Sequence, residues 1–133
     1  MNVVATKVSL TVEDIGASSR FFTTHLGFRE VESGNGYVCL RRDDTSVEIA
    51  LSERDPELPP RPRKGQGLAD LVVTLTVTDV VAEHARLRRE GAAVSGRIHH
   101  EPWGEQLFRL VDPNGVVVQL TEWVPPAGAP EHR

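Results

Sequence analysis

The chain has 133 residues, a formal charge of −4 and a single cysteine, Cys39. This length predicts one domain, and the mild acidity argues against a nucleic-acid partner, which requires a concentrated positive field. The lone thiol excludes an internal disulfide. Because no apolar run resembles a signal peptide or a membrane helix of roughly 20 residues, we expect a cytoplasmic protein without a membrane partner.

The first predicted element is a strand near residues 8–12, where apolar and polar residues alternate. Asp14 follows at a helix N-cap position, helical spacing continues to about Leu26, and Gly27 stands where a helix C′ residue belongs. Further strands are predicted near 28–33, 36–42 and 46–52.

The second half of the chain repeats this pattern. Residues 73–87 match residues 8–22 at a constant offset of 65 residues, which pairs Asp14 with Asp79. A DPNG sequence at 112–115 indicates a tight turn between the last two strands. The strands of this half are predicted near 92–97, 105–111 and 116–123.

The repeat defines the predicted domain organisation. We expect a single α+β domain at 1–125, built from two βαβββ modules with mainly antiparallel sheets, whose second faces are either solvated or curved into a cleft. The segment between the modules is rich in proline and charge, which is typical of a linker. The predicted boundaries are module one at 5–52, the linker at 53–67, module two at 68–123 and a tail at 126–133.

Alternation along the strands separates an apolar face, which packs on the helix, from a second, more polar face. In the first strand, Leu10 and Val12 belong to the apolar face. The residues predicted on the second faces are Lys7, Ser9, Glu48, Val72, Thr74, Gln119, Thr121 and Trp123, with Tyr37 beside them. Small polar residues with a few aromatics suit a ligand cavity, but a solvated sheet face has the same composition. Both interpretations remain open.

The paired modules, the segment VEDIGASSRFFTTHLGF and the segment DPNGVVVQL resemble the vicinal oxygen chelate superfamily. That superfamily includes glyoxalase I, extradiol dioxygenases, fosfomycin-resistance transferases and bleomycin-resistance proteins. The resemblance covers roughly residues 5–123. It implies two modules enclosing a U-shaped cleft and a homodimer, in which modules of different chains often pair.

The resemblance also implies four metal-ligand positions, which in this sequence are Lys7, Glu48, Val72 and Gln119. Valine has no donor atom, and a protonated lysine has no lone pair. The two remaining oxygen ligands are fewer than the three protein ligands that a held divalent ion normally requires. We therefore predict no metal, and we expect Lys7 to form an ion pair with Glu48 across the cleft, filling the space of the metal.

Two tryptophans and three histidines are further candidates. Trp103 and Trp123 each offer a flat apolar surface, which suits stacking on a planar ligand or packing in a loop or a dimer interface. His99 and His100 are adjacent, so in an extended segment they point to opposite sides and cannot chelate one ion. A surface loop is predicted for them. His84 is predicted to be solvated in the middle of a helix.

These observations favour a metal-independent protein that sequesters an antibiotic or another planar, aromatic natural product. No catalytic residue and no cofactor are predicted. The alternatives are a metal-dependent enzyme of the same superfamily (a glyoxalase-like isomerase or lyase, a dioxygenase or a thiol transferase) and a metal-free enzyme with Glu48 as base. The predicted ligand-binding residues are Lys7, Ser9, Tyr37, Glu48, Val72, Thr74, Trp103, Arg109, Gln119, Thr121 and Trp123.

Overall fold

The structure, a computed structural model, describes residues 1–53 and 71–124, which fall into two compact units. The first unit contains β1 (Thr6–Thr11), α1 (Ile15–His25), β2 (Arg29–Gly34), β3 (Tyr37–Arg41) and β4 (Val47–Ser52). The second contains β5 (Val72–Thr76), α2 (Val80–Arg89), β6 (Val94–His100), β7 (Glu105–Val111) and β8 (Val117–Trp123). The predicted α+β fold of two βαβββ modules is confirmed.

Several sequence predictions fall on residues that the structure does not describe. Apart from Glu53, the predicted linker at 53–67 lies outside the described residues, and so does the predicted tail at 126–133. The assignment of one domain to residues 1–125 stays a prediction. In the two described ranges, no helix has the length and apolar composition needed to cross a membrane.

Each unit has one four-stranded mixed sheet. The first sheet has the order β1-β4-β3-β2, in which β1 and β4 are parallel and the other pairs antiparallel. The second repeats this arrangement as β5-β8-β7-β6. The parallel pair is possible because a helix and a hairpin lie between its two strands in the chain. The edge strands β2 and β6 each contain a register shift, between Glu30 and Glu32 and between Ser95 and His99.

The two helices begin and end in the same way, as the sequence repeat predicts. The side chains of Asp14 and Asp79 each accept a hydrogen bond of 3.0 Å from the backbone N–H three residues later. Gly27 and Gly91 follow the helices with φ of 73° and 79°. In this left-handed region glycine has no Cβ penalty, so both positions suit a helix C′ residue.

The end of α1 has an additional restraint that involves Arg42. Its guanidinium donates a hydrogen bond to the backbone oxygen of Leu26 and two more to Asp44, at 2.8 and 2.7 Å. The same group lies 5.9 Å from the ring centroid of Phe28. Arg42 therefore joins the helix end to the segment between β3 and β4.

Each unit has its own core between its helix and one face of its sheet. The fully buried side chains of the first unit include Leu10, Phe22, Leu40 and Leu51. Those of the second include Val80, Leu87, Phe108, Leu110 and Val118. The alternation in the strands predicted this face correctly. The opposite face of each sheet does not pack on the helix of its unit.

The DPNG turn between β7 and β8 is organised by the buried carboxylate of Asp112. Its Oδ1 accepts hydrogen bonds from the backbone N–H groups of Asn114 at 2.9 Å and Val116 at 2.8 Å. Gly115 completes the turn with φ of 88°. The turn fixes the register in which Gln119 on β8 meets Arg109 on β7.

Candidate functional site

In the first unit, the sheet face away from α1 carries a charged cluster around Glu48. Lys7 on β1 is the ladder neighbour of Glu48 on β4, and its Nζ lies 4.0 Å from Glu48 Oε1. Arg41 on β3 approaches the other carboxylate oxygen, with Nη1 at 3.8 Å from Oε2. The Cys39 thiol donates to Oε1 at 3.2 Å. Lys7 thus pairs with Glu48 as expected from the sequence, but as its neighbour within one sheet.

The Cys39 thiol is buried, with 2% of its surface exposed. Burial raises its pKa, and its hydrogen bond to Glu48 and the negative charge of that carboxylate act in the same direction. The thiol is therefore held protonated at neutral pH and is a poor nucleophile. Its role here is to donate a hydrogen bond to Glu48.

In the second unit, the corresponding face consists of two rows of side chains that cross the sheet. The strand registers place one residue from each strand in a row. One row runs Ser95, Arg109, Gln119, Thr74, and the next runs His99, Leu107, Thr121, Thr76. All eight side chains point away from α2, because each alternates with a neighbour on the opposite face.

Hydrogen bonds join the two rows through Gln119. Arg109 Nε donates to Gln119 Oε1 at 2.9 Å, and Gln119 Nε2 donates to Thr121 Oγ1 at 3.2 Å. Thr121 is 3% exposed, so the last member of this chain is fixed in the sheet. The hydrogen bond to Gln119 thereby orients the guanidinium of Arg109, which is an exposed residue.

A depression of about 280 Å³ lies on this face of the second unit. Its lining residues are Ser95, His99, Glu101, Leu107 and Arg109. It lies at the bulge of β6. Ser95 pairs with Arg109 and His99 pairs with Leu107, so β6 advances four residues where β7 advances two. An insertion of this kind redirects the side chains on the bulged strand.

The bulge is held in place from the helix side by His84. Gly96, inside the bulge, has φ of 75°, and its backbone oxygen lies 3.1 Å from His84 Nε2. The His84 ring also meets Phe108 edge to face, with centroids 4.8 Å apart. The prediction that His84 is solvated was wrong, because this side chain is half-buried and supports the wall of the depression.

The prediction of a surface loop for His99 and His100 was also wrong. His99 and His100 lie at the end of strand β6, which continues to His100 rather than ending near residue 97. They do point to opposite sides, and His99 lines the depression. Sequence reasoning missed Ser95, Glu101 and Leu107 as well. A glycine inside an apparent strand, here Gly96, is the signal that could have indicated the bulge.

The two tryptophans lie at one end of the second sheet. Trp103, in the turn between β6 and β7, is 57% exposed, and its indole N–H donates to Glu105 Oε1 at 2.7 Å. Trp123 on β8 is half-buried and is the ladder neighbour of Glu105, on the same face as Gln119. Glu105 therefore contacts the Trp103 indole and is the neighbour of Trp123 in the sheet.

The structure distributes the other predicted residues between the two units. In the first unit Lys7, Ser9, Tyr37 and Glu48 share the face away from the helix, and in the second Val72, Thr74, Arg109, Gln119, Thr121 and Trp123 do so. Val72 is the ladder neighbour of Val117, whereas Gln119 is the neighbour of Thr74. The two positions that the family resemblance assigns to a metal in module two are thus not ladder neighbours.

The family's metal does not fit these residues. Lys7 is a cation paired with Glu48, Val72 has no donor atom, and the Gln119 amide oxygen already accepts from Arg109. In residues 1–53 and 71–124, no three histidine, cysteine or acidic side chains are grouped so as to hold a metal ion.

Two repeated βαβββ modules, each with an open mixed sheet, define a protein of the vicinal oxygen chelate fold. The chain belongs to the glyoxalase/bleomycin resistance protein/dioxygenase superfamily, which it matches over residues 4–120. No curated protein matches the sequence.

Solved structures from this superfamily resemble the chain over most of its length. TnmS3, an antibiotic binding protein from Streptomyces sp. CB03234, is 24% identical with a TM-score of 0.71, covering 92% of this chain and 97% of that one. A glyoxalase/bleomycin resistance protein from the same strain is 26% identical with a TM-score of 0.63, covering 87% and 97%. Lactoylglutathione lyase from Agrobacterium tumefaciens is 18% identical with a TM-score of 0.69, covering 91% and 94%.

Proposed function

We propose that this protein binds a planar, aromatic small molecule such as an antibiotic and sequesters it without chemical change. The observation that carries the proposal is the open face of the second unit. There a depression combines an apolar residue, Leu107, with hydrogen-bonding groups, and Trp123 lies on the same face of the sheet. Apolar surface with a few oriented polar groups is typical of small-molecule sites.

The size of the depression limits what it holds. Its volume of about 280 Å³ lies slightly below the usual range for ligand pockets. It suits one or two fused rings rather than a whole drug-sized molecule. We therefore expect the rest of the ligand to lie across neighbouring parts of the sheet face, including Thr74 and Trp123.

The similar structures include both a binding protein and an enzyme, and the residues of this chain favour binding. One of the similar structures is an antibiotic binding protein, and the donor atoms that a metal-dependent enzyme of this fold needs are lacking at Lys7 and Val72. The carboxylate of Glu48, the base of the metal-free alternative, is already engaged by Lys7, Arg41 and Cys39. A binding protein needs none of these groups to react.

Tryptophan fluorescence tests the proposal directly, because the chain has only two tryptophans. Titration with a panel of planar natural products, anthraquinones among them, is expected to give saturable quenching at micromolar ligand or below. Trp103→Phe and Trp123→Phe identify which indole reports, and Val81→Thr on the exposed side of α2 is the control. Mass spectrometry is expected to recover the ligand unchanged. Absence of saturable binding across the panel, or turnover of the bound compound, would contradict the proposal.

The proposal extends to assembly and location. The superfamily resemblance implies a homodimer, and we propose that the protein functions in that form. We also propose that it is cytoplasmic. Light scattering coupled to size-exclusion chromatography is expected to give twice the chain mass. A monomeric mass at the concentration used for ligand titration would contradict the dimer but not the binding function.

A further inference from the structure

Arg109 is a charged group that the fold orients but does not neutralise. Its only hydrogen bond among the described residues runs from Nε to Gln119, and no carboxylate in those residues forms an ion pair with it. By contrast, Arg29 pairs with Asp43, and Arg42 with Asp44, both at 2.7 Å. The two terminal nitrogens of Arg109 thus remain available at the edge of the depression.

The orientation of this guanidinium is fixed by side chains of the sheet. Gln119 accepts from Nε and is itself tied to the buried Thr121 hydroxyl. Because Nε is the nitrogen nearest the chain, a bond at that atom sets the plane of the whole group and leaves its outer edge free. A planar fork held in this way matches two oxygens of a carboxylate, or two neighbouring oxygens on a ring.

Charge changes sign along β7. Arg109 lies at one end of the depression and Leu107 follows two residues away, roughly 7 Å along the strand. Beyond it lie Glu105, which accepts from the Trp103 indole, and Glu101, whose backbone N–H bonds to Glu105 at 2.7 Å. A ligand lying along the strand therefore meets a cation first, then an apolar side chain, then two carboxylates.

We infer that the ligand is an aromatic acid, with an anionic oxygen group on Arg109 and its ring over Leu107. The inference rests on the proposed function and adds the chemical class and direction of the ligand. A carboxylate or an acidic ring hydroxyl forms charge-assisted hydrogen bonds with the guanidinium. The opposite end of the ligand carries hydrogen-bond donors, such as hydroxyl groups, which the carboxylates of Glu101 and Glu105 accept.

The test compares matched probes that differ only in charge. Anthraquinone-2-carboxylic acid and its carboxamide are titrated by tryptophan fluorescence and calorimetry against the full chain. Because the carboxylate adds an opposite charge and a second acceptor oxygen to what the carboxamide offers the guanidinium, the acid is expected to bind about fivefold tighter, which corresponds to about 1 kcal/mol. The difference should shrink as salt is added, since Arg109 is exposed.

Variants connect the preference to Arg109. Arg109→Gln is expected to abolish the acid preference while leaving carboxamide affinity within about twofold. Arg109→Lys keeps the charge but lacks the fork, so an intermediate preference is expected. Arg88→Gln, the same substitution on exposed α2, is the control, and Gln119→Met should weaken the preference by releasing the guanidinium. Circular dichroism confirms that each variant is folded.

The outcomes separate this inference from the proposed function. Equal affinity for acid and carboxamide, or an acid preference that survives in Arg109→Gln, overturns the inference and leaves small-molecule binding standing. Binding of neither probe by the folded wild-type protein overturns the inference. If the wider panel of planar compounds also fails to bind, the proposed function falls with it.

Discussion

A methyl group added at Gly27 should destabilise the protein more than the same group at Gly91. Both glycines end a helix with positive φ, 73° and 79°, so alanine meets the same backbone penalty at each. A Cβ at Gly27 would also collide with the Arg42 guanidinium, whereas a Cβ at Gly91 meets no atom within 4 Å. The sequence repeat thus provides a matched control within one chain.

The expected magnitudes follow from these contacts. Left-handed backbone raises the free energy of an alanine by about 1–2 kcal/mol, partly offset by the lower entropy of the unfolded chain, so Gly91→Ala should cost about 1 kcal/mol. Gly27→Ala must also displace Arg42 from Leu26. Losing this hydrogen bond from a charged, partly exposed group adds about 1–2 kcal/mol to the decrease in the free energy of unfolding. Gly27→Ala should therefore lower the free energy of unfolding by about 2–3 kcal/mol.

Urea unfolding followed by circular dichroism measures both free energies, with unchanged slopes showing that the unfolded states are comparable. Arg42→Ala then completes a double-mutant cycle, in which Gly27→Ala should cost only about 1 kcal/mol once the guanidinium is gone. Equal losses for the two glycine variants, or a Gly27→Ala cost that Arg42→Ala leaves unchanged, would refute the collision as the cause.

Two further predictions concern buried polar groups. Asp112→Ala leaves the N–H groups of Asn114 and Val116 without their carboxylate, so we expect a loss of about 2–4 kcal/mol in urea unfolding. Asp112→Asn keeps an acceptor and should lose less; a change below about 0.5 kcal/mol in the alanine variant would contradict this account. The pKa of Cys39 is raised in the folded protein, so the thiol contributes stability that is complete below its ordinary value of 9.0 and is lost as pH rises through the raised value. The free energy of unfolding should fall with pH in that range, less so in Cys39→Ala, and identical pH profiles would count against the effect.

The elements of this fold could be predicted because their signals are local. The match between residues 8–22 and 73–87 gave the two modules, and Asp14 and Asp79 marked helix starts that the structure confirms. Alternation along single strands also separated the buried face from the open one. The caps and the alternation each depend on residues within one turn or one strand, and the repeat is found by comparing two stretches of sequence without knowing how strands pair.

The depression could not be predicted, because it depends on pairing between strands. Ser95, His99 and Leu107 come together through the register of β6 on β7, and that register is interrupted at Gly96. The support from His84 crosses from helix to bulge over twelve positions in the chain. The hydrogen bond between Arg109 and Gln119 likewise exists only because the DPNG turn sets their register. The sequence predictions included Arg109 and Gln119 among the ligand-binding residues but did not predict the hydrogen bond between them.

The interrupted edge strands bear on how concentrated this protein can become. All six residues of β2 are exposed, and three of its first four are charged: Arg29, Glu30 and Glu32. Charged side chains and a bulge on an open edge hinder another chain from adding a strand there. On the proposed function, each molecule neutralises one ligand at a time, so protection scales with the amount of protein that stays dissolved. Resistance to edge-to-edge aggregation would then set the dose of ligand that a cell can tolerate.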